Sequence, residues 1–96
     1  GSSSAAAVRD MVSVLNEGPY TLKIRYRAPS ATVSTVELHI NGKTSGFPEF
    51  TQTGNDDWRV SMQQVYLNKG TNTIELRANG NAASELYLDN IIIESV

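Results

Sequence analysis

The chain predicts an all-β fold, an antiparallel β-sandwich, and three observations carry that prediction. Apolar residues fall into short runs that alternate with polar ones, the rhythm of a strand with one buried face. About seven such runs are separated by glycine, proline and asparagine turn signals. No stretch carries a convincing amphipathic helical pattern. With 96 residues the chain is sized for one domain, expected over residues 5–96. Gly1–Ser4 reads as a cloning scar or flexible leader.

The elements follow in order. In the stretch from Ala5 to Leu15, Ser4 and the alanines could start a short helix. Against that, Val8, Asp10, Val12 and Val14 alternate with Arg9, Met11 and Ser13, and this β-branched alternation predicts a strand over Val8–Val14. Asn16-Glu17-Gly18-Pro19 breaks it. Tyr20, Leu22, Ile24 and Tyr26 then share one face, and Thr21, Lys23, Arg25 and Arg27 the other. After the Ala28–Ala31 loop, Val33–Ile40 alternates through Val36, Leu38 and Ile40 into Asn41-Gly42, the signal for a two-residue hairpin. Lys43–Phe47 is the expected return strand, and Pro48–Asp57 a loop.

Trp58–Leu76 is the central hairpin, turning at Asn68-Lys69-Gly70. Trp58, Val60 and Met62 share one parity while Val65 and Leu67 share the other, which predicts a bulge at Gln63-Gln64 with all five inward. Asn79–Ser84 is a second polar loop, and Leu86–Ile93 ends apolar on both parities, as a strand covered on both sides would.

Composition excludes several classes of function. The net charge is −2 and the basic residues are scattered, so no nucleic-acid stripe is written here. No apolar run approaches the roughly 20 residues that span a bilayer. There is no cysteine, hence no disulfide and no cysteine-ligated zinc. The single histidine, His39, lies on the polar parity without a partner at ligand spacing, and is expected to be an ordinary exposed side chain. Asp56 and Asp57 read as a solvated acidic turn more readily than as a tuned carboxylate pair. No nucleophile elbow or phosphate-cradling glycine loop is present, so an enzyme is not expected.

Recognition remains. Aromatic faces stack on the apolar face of a sugar ring, and amides and carboxylates bind its hydroxyls. Trp58 and Tyr26 continue an inward parity, so core packing competes with ligand binding for both. Tyr66 lies on the opposite parity and is expected to be exposed. Phe47 and Phe50 flank Pro48 as possible plugs under the loop, and Tyr87 suits a core tyrosine or a ligand platform.

The order of motifs resembles that of family 6 and family 35 carbohydrate-binding modules. Gly18-Pro19-Tyr20-Thr21-Leu22 with Ile24-Arg25-Tyr26 is similar to one strand of those modules, and Val36–Gly42 to their hairpin. Thr53-Gly54, Trp58, Val65, Leu67, Gly70, Asn72, Ile74 and Leu76 follow their central run, and Leu88-Asp89-Asn90-Ile91 their closing strand. The resemblance covers roughly residues 12–93. It implies a β-jelly roll that binds polysaccharide without catalysis, appended to a secreted or cell-surface bacterial glycoside hydrolase. It points to carbohydrate contacts at Asn55, Asp56, Trp58, Asn79, Asn81 and Tyr87, and to Asp89 as a ligand of a structural calcium ion.

Two departures qualify it. The family ordinarily opens with about thirty further residues that carry calcium-binding acids and a binding aromatic, a count implied by the resemblance and consistent with domain size. Asn55-Asp56-Asp57 also replaces a binding tryptophan of the family. A sandwich without its opening strand would expose a sheet edge, so the alternative is an assembly domain that pairs through that edge with a second copy or with its parent protein.

Overall fold

The computed structural model describes residues 8–78 and 86–96. Among the described residues there are seven strands: β1 (Val8–Val14), β2 (Gly18–Arg27), β3 (Glu37–Ile40), β4 (Lys43–Thr44), β5 (Arg59–Leu67), β6 (Gly70–Arg77) and β7 (Tyr87–Ser95). They form a four-stranded sheet, β1-β6-β3-β4, and a three-stranded sheet, β5-β2-β7. All pairings are antiparallel, and no helix occurs among the described residues. The expected all-β sandwich is therefore the observed one.

The inner faces close on Leu22, Ile24 and Tyr26 from β2, Leu38 from β3, Val65 and Leu67 from β5, and Ile74 and Leu76 from β6. Phe50 supplies the plug: it is fully buried, and its ring meets Tyr26 edge-on at 5.0 Å. A bridge between Val33 and Phe50, closed by backbone bonds of 2.9 and 2.8 Å, fixes that loop across the sandwich. Phe47 is exposed instead.

Both turns follow their chemistry. Asn41 and Gly42 have φ of 53° and 83°, the paired positive angles of a twist-matched two-residue hairpin. Gly70, at φ 97°, closes the β5–β6 turn. Asn72 is completely buried beside it: its Nδ2 donates to the Asn68 and Gly70 carbonyls, and its Oδ1 accepts from Asn68 N and from Asn41 Nδ2 at 2.9 Å. One amide thus joins two turns, one in each hairpin.

Several expectations are corrected. The return strand is only two residues long, because Gly46 at φ 112° bends the chain away, although Ser45 and Gly46 still bond Leu38. Val33 stays outside β3, held by its bridge to Phe50. Strand β2 begins at Gly18, two residues before Tyr20, and Pro19 is tolerated because β7 first pairs at Tyr20. His39 lies on the outer face as expected but is buried between neighbours, with Nε2 bonded to Glu37 Oε1 at 3.0 Å.

The bulge is the largest correction. The β2–β5 register runs unbroken from Gly18↔Leu67 to Tyr26↔Arg59, so nothing shifts at Gln63-Gln64. Ser61, Gln63, Val65 and Leu67 share the inner face, while Val60 and Met62 face outward and are exposed. Ser61 is accommodated inside because its hydroxyl donates to the Glu49 carbonyl and accepts from Gln63 Nε2. The register shift falls in β7, where Arg25 pairs with Asn90 and Tyr26 with Leu88, leaving Asp89 as the extra residue. That bulge turns Leu88 inward along with Ile91 and Ile93, which explains apolar residues on both parities. Strand β7 is an edge strand, and Ile92 faces outward with 48% exposure.

Candidate functional site

The outer face of the β5-β2-β7 sheet is built on three cations. Leu22, Ile24 and Tyr26 point into the core, so alternation sends Lys23, Arg25 and Arg27 to the other side of β2. Register then sets what lies beside each. Lys23 stands between Met62 and Ile92, and Arg25 between Val60 and Asn90. Arg27 stands between Tyr87 and Trp58, the residue that follows the Tyr26↔Arg59 pair.

Arg27 organises the loop end of this face. Its guanidinium carbon lies 5.4 Å from the Trp58 ring centre and 4.7 Å from that of Tyr87. Nη1 donates to the Asn55 carbonyl at 2.8 Å and approaches Asp56 Oδ1 at 3.8 Å. Arg25 adds a second contact with Trp58, 4.8 Å from the ring centre, and its Nη1 donates to Asp89 Oδ2 at 2.6 Å. These cation–π contacts order two aromatic side chains while leaving each partly open: Trp58 is 37% exposed and Tyr87 41%. The expected inward place of Trp58 is thereby corrected.

The loop below is held from within. Thr53 donates its N–H to the Ala28 carbonyl, and its Oγ1 accepts from Ala28 N. A Cβ on Gly54 would meet an Asp57 carboxylate oxygen at 2.9 Å, so the Asp57 side chain folds back over this turn, which presents Asn55 and Asp56.

Four of the six residues expected to contact carbohydrate converge here: Asn55, Asp56, Trp58 and Tyr87. Asn79 and Asn81 lie outside the described residues. Sequence reasoning missed Arg25 and Arg27. Their signal was three cations in alternation on the wet face of one strand, which an alternation rule treats as ordinary solvation.

Asp89 does not fit a calcium shell. Its carboxylate is engaged by Arg25, and no cluster of three acidic or histidine side chains able to hold a metal occurs among the described residues.

The opposite face, on β1-β6-β3-β4, carries a charged network. Glu37 accepts from His39 and Thr44, and Glu75 from Arg77 at 2.9 Å. The His39 hydrogen bond holds the Glu37 carboxyl below the usual carboxylate range, and the Arg77 hydrogen bond does the same for Glu75.

Comparison with known proteins places this geometry. No family model matches the chain. It is 30% identical over 96 residues to a 1,6-alpha-glucosyltransferase of Sporosarcina globispora, spanning 98% of this chain but 8% of the enzyme's length. A family 35 carbohydrate-binding module of Paenibacillus barcinonensis superposes with a TM-score of 0.84 at 26% identity, covering 94% of this chain and 70% of the module. A cycloisomaltooligosaccharide glucanotransferase of a Paenibacillus species, crystallised with cycloisomaltoheptaose, superposes at 0.80 with 26% identity, over 88% of this chain and 12% of the enzyme. The two sheets, the order of motifs and this superposition agree in giving the chain the fold of a family 35 carbohydrate-binding module.

Proposed function

We propose that this domain binds oligosaccharide non-catalytically, within a secreted glycan-active enzyme, and that its ligand is a glucan with α-1,6 linkages. The observation that carries the reading is the row Trp58–Arg27–Tyr87. It offers two partly exposed rings for the apolar faces of successive sugars, with polar groups of Asn55 and Asp56 alongside for their hydroxyls. Asn79 and Asn81, which precede β7 in the sequence, are proposed further contacts. The linkage rests on the names of the similar enzymes, a 1,6-alpha-glucosyltransferase and a protein crystallised with a cycloisomaltooligosaccharide. Titration with isomaltooligosaccharides, followed by tryptophan fluorescence and calorimetry, is expected to give saturable binding with a change in Trp58 emission. No response to these sugars or to a broad set of other glucans, xylans, mannans and pectins would overturn the reading.

A second reading is favoured by β7, nine residues long and an edge strand among the described residues, with Ile92 exposed on it, and by Val60 and Met62 exposed on the opposite edge strand, β5. Such an edge suits pairing with another copy or with the parent protein. Concentration-dependent dimerisation in light scattering would support it, and a monomer at high concentration would defeat the second copy.

A further inference from the structure

The cations of the β5-β2-β7 face have anionic or carbonyl partners of their own. Lys23 Nζ lies 2.8 Å from Glu94 Oε1, Arg25 Nη1 2.6 Å from Asp89 Oδ2, and Arg27 Nη1 reaches the Asn55 carbonyl and Asp56. Arg59 shares the parity of Ser61 and Val65 and belongs to the other side of β5. The face therefore presents apolar and aromatic surface whose charge is internally balanced. Of these pairs, Arg25–Asp89 is the one that touches the aromatic platform, because Arg25 also lies over Trp58 at 4.8 Å.

We infer that Asp89 is a specificity-determining residue: by neutralising Arg25 beside Trp58, it restricts this face to uncharged sugars. The inference rests on the sugar-binding reading of that face. The pair is half-exposed, with side-chain exposures of 43% and 44%, so a ligand can reach it. A pair this open contributes little to stability, which leaves its effect on local charge as its main consequence. The β7 bulge gives it that effect, because the extra residue places a carboxylate against Arg25, where a regular strand would leave only the amide of Asn90. Without that carboxylate, the Arg25 guanidinium would be free to make a charge-assisted bond to an acidic sugar stacked on Trp58.

The test compares the wild type with Asp89→Asn, Asp89→Glu and the double variant Asp89→Asn/Arg25→Gln. Each is titrated with isomaltotriose and with trigalacturonate, at low and at high salt. The preference for trigalacturonate over isomaltotriose is expected to rise about tenfold or more in Asp89→Asn at low salt and to fall back at high salt. Asp89→Glu should keep the wild-type preference, and the double variant should lose the gain. A folded Asp89→Asn protein without the gain, a gain that survives in the double variant, or a wild type that already binds trigalacturonate as tightly would overturn the inference. Failure of the wild type to bind isomaltotriose defeats the sugar-binding reading alone. The appearance of trigalacturonate binding in Asp89→Asn is scored separately, for or against Asp89.

Discussion

The guanidinium of Arg27 lies between the ring of Trp58, just before edge strand β5, and that of Tyr87, which opens the opposite edge strand β7. A central-strand cation thus fixes the spacing of two aromatic side chains that stand 29 positions apart in the sequence, 87 against 58. Its placement yields the first of four predictions.

Replacing Trp58 with alanine removes a partly exposed ring and no core contact. Affinity for the bound sugar should fall at least tenfold, in line with the roughly 2 kcal/mol or more that marks an aromatic hot spot. The unfolding midpoint in urea should move little, so that calorimetry and denaturation separate binding from folding. Arg27→Ala should weaken binding as well, by loosening both rings, with circular dichroism unchanged.

Asn72 has no solvent exposure and makes four hydrogen bonds across two turns. Asn72→Ala removes the buried amide that ties the Asn68 N–H, the Asn41 amide and the Asn68 and Gly70 carbonyls together. Urea denaturation should show a loss of about 1–3 kcal/mol, from the hydrogen bonds lost with that buried amide.

Phe50→Ala empties the space between the two sheets where the loop crosses. A loss of about 3–5 kcal/mol is expected. Near-ultraviolet circular dichroism should also lose the signal from Tyr26, whose ring partner is gone.

The carboxylates Glu37 and Glu75 are held below their ordinary value of 4.5 by bonds to His39 and Arg77. A carboxylate with a depressed folded-state pKa stabilises the fold above its unfolded value, and that contribution disappears as pH falls through the folded value. Stability should therefore hold near neutrality and decline below about pH 4.5. Glu37→Gln and Glu75→Gln should flatten this acid limb in pH-dependent melting. A steeper decline in the variants would contradict the assignment.

The sequence alone carried the fold class and the turns. Alternation in Tyr20–Arg27 and the Asn41-Gly42 and Asn68–Gly70 signals fixed the strands and where they reverse, because these depend on neighbours a few positions apart. Only tertiary structure decided which side of β5 faces the core. Alternation defines two faces but does not say which is buried, and pairing with β2 put Ser61 inside and Met62 outside. It also placed the bulge at Asp89 rather than Gln63, since an extra residue exists only relative to a partner strand. The aromatic row around Arg27 has the same origin: three residues distant in sequence meet because strand register aligns them across one sheet.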